Sequence, residues 1–170
     1  MELQLIGNNI KLVPYDEQYL NYLYSHIIMN KVEGFEECKL KQKKDLYNFM
    51  SNKNLNMKLF IKDLSNDKIC GYIGGYNYNK IDGYIYISTI LGEKEKKNKE
   101  AINIFVQYIF KCFPIRKIYC EICDNNKDKL ITFQDMGFQR EATLEEDTFF
   151  DGTYYNKHIL SLYREDYKNE

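Results

Sequence analysis

The clearest hydrophobic pattern in the sequence lies between Gly83 and Phe138 and predicts four elements in a fixed order. Residues 84–91 form a nearly unbroken apolar segment, with the length and the β-branched content of a buried strand. A short charged segment, 92–99, follows and predicts a turn. Over 100–113 the apolar positions recur at helical spacing on one stripe, and they are Ile102, Phe105, Val106, Ile109, Phe110 and Phe113.

Pro114 ends this helix, because proline has no amide hydrogen and its ring clashes with the preceding turn. A second apolar strand is predicted over 117–123, and a second helix over 126–136. A strand, a helix and a strand of these lengths predict a right-handed crossover between parallel strands. In such a unit the carboxyl end of the strand meets the amino end of the helix, where free amides attract anions. We therefore expect any active site at that edge of the sheet.

The rest of the chain predicts strands and helices around this unit. Before it we expect a strand over 9–14, helices over 17–30 and 41–50, and a hairpin of strands over 57–62 and 69–77. After it we expect strands over 139–144 and 155–162 around a loop, 145–153. Alternation in the last strand puts His158, Leu160 and Leu162 on one face. No linker or repeat divides the sequence, so it predicts one mixed α+β domain over residues 1–170.

Charge and composition exclude several classes of partner. With 24 basic and 25 acidic side chains the formal charge is −1, which gives no electrostatic basis for nucleic acid or an anionic membrane as the main partner. The amino terminus lacks a secretory pattern and no apolar run is long enough to span a membrane, so we expect a cytoplasmic location.

The cysteines and histidines predict no metal site. Cys120 and Cys123 are spaced as a possible pair, but a strand directs them to opposite faces, so we expect ordinary thiols. His26 and His158 lie far apart and have no ligand spacing.

Several short segments occur in an order that resembles one known superfamily. They are 7–13, 69–74, 83–84, 100–102, 116–119, Asn126 ahead of 137–138, and 150–156. Together they resemble the GCN5-related N-acetyltransferase (GNAT) superfamily, in the branch with the ribosomal-protein-alanine and spermidine N-acetyltransferases. The resemblance covers most of the chain.

This resemblance implies a GNAT-type fold, a bent mixed sheet flanked by helices whose central parallel strands splay apart. Acetyl-CoA, as co-substrate, would lie in that gap. Its pantetheine would pair with backbone at Thr89, Ile90 and Leu91, and its pyrophosphate would sit at the start of the following helix. The superfamily also implies cofactor contacts at Asn126 and Phe133, although Asn126 equally suits a helix cap and Phe133 a core position.

The charged segment 92–99 departs from the superfamily's phosphate-binding turn, which is Gln or Arg, two residues, Gly, one residue, then Gly or Ala. Here there is no internal glycine, and glycines let the backbone approach a pyrophosphate without collision. In one interpretation, side chains replace those amide contacts, and the candidates are Lys96, Lys97, Asn98 and Lys99, with Lys94 beside them. In the other, the phosphate site is lost and the fold serves another purpose.

Acetyl transfer to an amine needs a base for the amine proton and an acid for the leaving thiolate. Asp82 stands close to where relatives carry a carboxylate, so it is a candidate base, or else an ordinary turn residue. Phe133 occupies the place of the superfamily's proton-donating tyrosine and has no proton to give. Either another group is then the acid, with Tyr155, Tyr84 and Tyr86 as candidates, or the thiolate is left to solvent. Three carboxylates are candidates to attract a cationic acceptor, or are simply exposed: Glu33, Glu36 and Glu37.

Three functions fit these features, and the third is an acyltransferase that uses a larger acyl donor. The first is an acetyl-CoA-dependent N-acetyltransferase that acts on a small-molecule amine or a protein N-terminus, and the complete crossover unit favours it. The second is a catalytically inactive binding or assembly protein of the same fold with a degenerate phosphate loop, which the missing glycines and Phe133 favour. A homodimer formed through the late strands is compatible with the resemblance.

Overall fold

The structure of the chain, a computed structural model, describes residues 5–29, 43–52, 54–92, 94–150 and 152–167, with the backbone alone for 26–29. The elements are β1 (Ile10–Pro14), a 3-10 turn (Glu17–Tyr19), α1 (Leu20–Met29), α2 (Lys43–Met50), β2 (Leu55–Asp63), β3 (Ile69–Asn79), β4 (Tyr84–Ile90), α3 (Glu95–Cys112), β5 (Lys117–Cys123), α4 (Lys127–Asp135), β6 (Gln139–Phe150) and β7 (Thr153–Tyr163). They follow the predicted order.

In the described part of the chain, seven strands form one mixed sheet in the order β1-β2-β3-β4-β5-β7-β6. All neighbouring strands are antiparallel except β4 and β5, which are parallel. Helix α3 makes the connection between these two, so the predicted crossover is confirmed. The sheet and its helices have the mixed α+β architecture that the sequence predicts.

Helices cover both faces of this sheet. On one face, α3 and α4 pack Phe105 and Phe133 against inward residues such as Ile85 and Ile118 in the main core. On the other face, α1 and α2 pack a smaller cluster around Phe60, Tyr72 and Ile90. Consecutive strand residues point to opposite faces, so β1 to β4 each contribute to both clusters. The middle of the sheet is therefore packed against helices on both faces.

Helix α3 begins earlier than the sequence predicts, at Glu95 rather than at residue 100. Most of the segment that was expected to form a charged turn is therefore helical. Glutamate and lysine are good helix formers, and Glu95 and Lys99, one turn apart, form an ion pair at 2.6 Å. The prediction failed because these first turns are polar and show no apolar period. The stripe itself is confirmed, and its buried members are Ile102, Phe105, Val106, Ile109 and Phe110.

Strand β6 is longer than expected, and the predicted loop over 145–153 is wrong. It runs to Phe150, and β7 already begins at Thr153. Because β6 is an edge strand that is exposed along nearly its whole length, its side chains show no apolar alternation. A bulge with Glu146 at φ 49° also interrupts its pattern. In β7 the predicted inward residues His158, Leu160 and Leu162 are buried, but Ser161 on the other face is buried too, beside the edge strand β6.

Three smaller expectations concern cysteines, metals and membranes. The described cysteines, Cys70, Cys112, Cys120 and Cys123, are all free thiols. Across the described ranges, acidic, histidine and cysteine side chains form no group of three suited to a metal ion. None of the described helices combines the length and apolar character needed to cross a membrane.

Candidate active site

The parallel strands β4 and β5 pair over only part of their length. Their last paired residues are Ile87 and Cys120. Beyond that point β4 continues to Ile90 and β5 to Cys123. The two strands therefore part and leave a slot between residues 88–90 of β4 and 121–123 of β5, with main-chain groups that have no strand partner across it.

The outer edges of both strands stay paired beside this slot. Ile90 still lies opposite Tyr72 of β3, and Cys123 still lies opposite Lys157 of β7. The opening is thus confined to the edges that face each other.

Buried polar atoms that lack a hydrogen-bond partner lie at the slot. Among the described residues, Ser88 Oγ and Thr89 Oγ1 on β4, and Asn125 Oδ1 just after β5, have no hydrogen-bond partner. Such atoms are uncommon in folded proteins because a buried polar group without a partner costs stability. The slot therefore suits a ligand that brings amide, carbonyl or hydroxyl groups.

The slot has two sides, because side chains alternate along each strand. Ser88 and Glu121 continue the alternation of Tyr86 and Tyr119, whose rings stack with centroids 4.9 Å apart. They face the side of the sheet that carries α1 and α2. Thr89 follows Ile87, a residue of the main core, and faces the side that carries α3 and α4.

A cleft of about 680 Å³ opens on the first side, at Ser88 and Glu121. The other lining residues come from α2 and the turn after it, from β2 and β3, and from the β6–β7 hairpin: Phe49, Asn52, Asn54, Leu55, Tyr76, Asn77, Asp147, Thr148, Phe149 and Lys157. Asp147 and Lys157 pair with each other at 2.5 Å. Glu121 forms no ion pair with any described residue, so it gives the cleft an uncompensated negative charge.

The charge of Glu121 changes the pKa of the neighbouring phenol of Tyr86. Burial raises the pKa of the Tyr86 phenol, and the carboxylate of Glu121 raises it further. Tyr86 therefore remains a neutral phenol at physiological pH.

On the second side, Lys129 reaches the slot from α4. Lys129, Thr132 and Phe133 form the inward stripe of this helix, and Lys129 is only 7% exposed. Its Nζ lies 3.5 Å from the carbonyl oxygen of Thr89, beyond the last pair of β4 with β5. A buried ammonium thus lies across the slot from the side that Glu121 occupies.

The structure brings part of the predicted cofactor set to the slot. Thr89 and Ile90 lie on its unpaired edge, and Leu91 follows directly. Asn126 caps α4, since its Oδ1 accepts a hydrogen bond from the Lys129 amide at 3.2 Å, so the cap interpretation is confirmed. 

Phe133 is fully buried and packs edge-on against Phe138, with centroids 5.0 Å apart. It is a residue of the main core, as one of the two interpretations of its sequence position predicts. A contact between this ring and a cofactor stays a prediction.

The lysines of the charged segment are largely engaged within the chain. Lys97 forms a partly buried ion pair with Asp63, and Lys99 pairs with Glu95 and with Asp135 at 2.9 Å. The Asn98 amide donates a hydrogen bond to the Gly92 carbonyl at 2.7 Å. Lys96, by contrast, is exposed on the first turn of α3. Contacts from these four residues to a phosphate remain predictions.

The predicted base lies at the opposite end of β4 from the slot, and three predicted carboxylates lie outside the described residues. Asp82 is exposed in the turn before β4 and accepts a hydrogen bond from the Asn79 side chain at 2.7 Å. Tyr155 lies in the β6–β7 hairpin opposite Thr148. The three carboxylates expected near the acceptor, Glu33, Glu36 and Glu37, lie outside the described residues.

Sequence reasoning missed Glu121, Lys129 and Ser88. One signal for Glu121 was a charge inside the apolar run 118–123. For Lys129 the signal was a basic residue one turn before Phe133, on the inward face of the helix. Ser88 carried no signal, because the end of the pairing between β4 and β5 cannot be read from residue types.

Comparison with known proteins identifies the fold. No protein-family model and no curated protein sequence matches the chain. Among solved structures, a spermidine N-acetyltransferase from Vibrio cholerae in complex with CoA and spermine has a TM-score of 0.77 at 17% identity, covering 94% of this chain and 98% of that one. RimL, an alpha-N-protein acetyltransferase in complex with coenzyme A, has a TM-score of 0.78 at 12% identity, covering 93% and 96%.

A third similar structure is the microcin self-immunity acetyltransferase MccE in complex with acetyl-CoA and AMP. Its TM-score is 0.73 at 22% identity, and the match covers 92% of this chain and 93% of that one. These likenesses extend over nearly the whole chain, so the protein has the GNAT fold, as its sequence motifs predict.

Proposed function

We propose that the protein is an N-acetyltransferase that takes the acetyl group of acetyl-CoA bound in the slot. The observation that carries this proposal is the parting of β4 and β5 after Ile87, which leaves residues 88–90 without a partner. A chain of amide groups can pair with such an open edge as an additional strand would. Solved structures of the same fold that hold CoA or acetyl-CoA support the proposal.

Several groups of this chain fit the co-substrate. The orphaned oxygens of Ser88, Thr89 and Asn125 offer hydrogen bonds along the slot. The amino end of α3 follows the slot in the chain, and the residue preceding it, Lys94, makes no capping bond through its side chain. The free amides of that first turn, with the exposed ammonium of Lys96, favour phosphate groups there. When bound, acetyl-CoA supplies an acetyl group activated as a thioester.

Glu121 is our candidate for the base that removes the amine proton. It is half-buried, lines the cleft beside Ser88 and has no ion-pair partner among the described residues. An amine that enters the cleft meets this carboxylate next to the slot. Asp82 is less suitable, because about 20 Å of extended chain separates it from Ser88 at the usual rise of a strand.

The cleft favours a cationic primary amine as acceptor. Its net charge is negative, since Asp147 and Lys157 neutralise each other and Glu121 remains. The rings of Phe49, Tyr76 and Phe149 also line it, and aromatic faces attract ammonium groups. A small-molecule amine or the N-terminus of a peptide meets both requirements.

Binding of the co-substrate is the first test. CoA at 100 times its dissociation constant should stabilise the fold by about 2.7 kcal/mol, which a thermal unfolding scan resolves. No stabilisation at millimolar CoA would contradict the proposal.

Turnover is the second test. Thiol release from acetyl-CoA should be followed with a polyamine and with a short peptide that has a free N-terminus. Glu121→Gln should lower kcat by about 100-fold or more, the usual contribution of a general base. Glu145→Gln, which removes an exposed carboxylate from β6, is the matched control and should act like the wild-type protein. Equal rates for all three proteins would refute the role of Glu121.

A non-catalytic binding protein is the second candidate. Two lysines of the phosphate segment, Lys97 and Lys99, are engaged by carboxylates of the chain itself. Under this alternative, neither CoA binding nor thiol release is observed with any amine, while the fold stays intact.

A further inference from the structure

The buried ammonium of Lys129 has no carboxylate to balance it. Among the described residues it forms no ion pair, and its Nζ makes only a long, 3.5 Å approach to the Thr89 carbonyl oxygen. A buried cation without a counter-charge is costly, so such a group is usually kept for a ligand or a reaction. The inward stripe of α4 would accept an apolar residue here, as it does at Phe133.

The position of Lys129 relative to Glu121 is informative. Thr89, which Lys129 approaches, faces the α3 and α4 side of the sheet. Glu121 faces the opposite side and lines the cleft. The slot therefore separates a carboxylate on the side where an amine would enter from an ammonium on the other.

We propose that Lys129 donates the proton that the leaving thiolate of CoA requires. This inference rests on the proposed function. The amine nitrogen forms a bond to the acetyl carbon from the cleft side, and the carbon–sulfur bond breaks with its electron pair on sulfur. Lys129 gives one proton to that sulfur and is protonated again from solvent. The substrate ammonium loses two protons to solvent through Glu121, one before the nitrogen attacks and one after. The sum is an amide, a thiol and one released proton for each substrate ammonium.

Other groups on that side are poorly suited to this step. Phe133 has no ionisable proton and is packed in the core. Thr132 already donates its hydroxyl to the Asp128 carbonyl at 2.8 Å. The tyrosines that border the slot region, Tyr84, Tyr86 and Tyr119, are stacked together on the opposite side of the sheet.

Two substitutions separate proton donation from charge alone. Lys129→Met keeps the length and apolar stem of the side chain and removes its charge. Lys129→Arg keeps the charge, but guanidinium does not release a proton in proteins. Lys127→Met removes an exposed charge from the same helix and is the matched control. Thermal unfolding of each variant establishes that it is folded.

The first measurement is binding, by calorimetry at one fixed pH, of CoA and of desulfo-CoA, which lacks the sulfur. If Lys129 lies beside the sulfur, the wild-type protein and Lys129→Arg bind CoA more tightly than desulfo-CoA. Lys129→Met should then bind the two ligands equally. Tighter binding of CoA by Lys129→Met than by the wild-type protein would mean that the lysine merely fills the slot, and would overturn the inference.

The second measurement is turnover with acetyl-CoA and a polyamine. We expect kcat to fall by about 100-fold or more in Lys129→Met and in Lys129→Arg, with little change in Lys127→Met. Full activity in either Lys129 variant would overturn proton donation. If the wild-type protein binds CoA and acetylates the polyamine, and the Lys129 variants have the same kcat, this inference alone is refuted. Absence of CoA binding by the wild-type protein refutes the proposed function and this inference with it.

Discussion

Asp63 at the end of β2 forms an ion pair whose removal should destabilise the protein measurably. Its side chain accepts hydrogen bonds from Lys97 and from the amide and hydroxyl of Ser65, and the residue is 4% exposed. The ammonium of Lys97, followed by the Ser65 bonds, lowers the pKa of Asp63 from 3.8 to about 2. Protonation of this carboxyl is thus about 2.5 kcal/mol harder in the folded state than in the unfolded state.

We expect Asp63→Asn to lower the free energy of unfolding at pH 7 by about 2 kcal/mol, because asparagine can keep the Ser65 bonds but cannot balance Lys97. The carboxyl has a lowered pKa, so its contribution is complete above the unfolded value of 3.8 and is lost as pH falls through the folded value of about 2. The difference between the variant and the wild-type protein should therefore shrink between pH 4 and pH 2.

Urea unfolding at a series of pH values measures this difference directly. Asp67→Asn is the matched control, because Asp67 lies in the same hairpin but its side chain is 73% exposed, and it pairs with Lys62 at the surface. That variant should unfold almost as the wild-type protein does. The reasoning is refuted if Asp63→Asn has the wild-type midpoint at pH 7, or if the difference between the two proteins does not change from pH 4 to pH 2.

Three further predictions concern the turn before β4, the main core and β7. Gly83→Ala should cost about 1 kcal/mol, measured by urea unfolding, because Gly83 has φ +69° and a side chain strains that conformation. Phe133→Ala should cost about 3–5 kcal/mol, since the ring is fully buried, and a thermal scan should show it. Burial, together with the charge of Arg140, lowers the pKa of His158 from 6.5. Folding therefore favours the neutral imidazole, and stability should fall as pH drops below about 6.5. That loss should be absent in His158→Gln, measured by urea unfolding between pH 5 and pH 8.

Much of the fold could be predicted because the central elements have strong patterns. Strand β5 has the predicted bounds, and the apolar stripe of α3 is buried as expected. Where the pattern is weak, the prediction failed for a physical reason. The first turns of α3 and the second half of β6 are polar and exposed, so neither segment has an apolar period to mark its structure.

The candidate site was less predictable, because it depends on where pairing stops and not on residue types. The motifs pointed to Thr89 and Ile90, and these residues do lie on the unpaired edge. Glu121 and Lys129, however, become candidate site residues only through the register of β4 with β5 and the direction of the inward side chains of α4. A local sequence pattern contains neither quantity.

The missing glycines of the phosphate segment do not by themselves argue against acetyl transfer. Contacts to the phosphates anchor the co-substrate. Loss of such contacts weakens binding of the ground state and of the transition state alike, so it raises KM more than it lowers kcat. The chemical step depends instead on groups at the slot, where charge develops. There the sheet holds Glu121 on the face of the cleft and Lys129 on the face of α4, with the open edge of β4 between them. A buried ammonium at that edge suits an anionic ligand or a reaction, and the carboxylate of Glu121 on the opposite side is what the proposed transfer adds to simple binding.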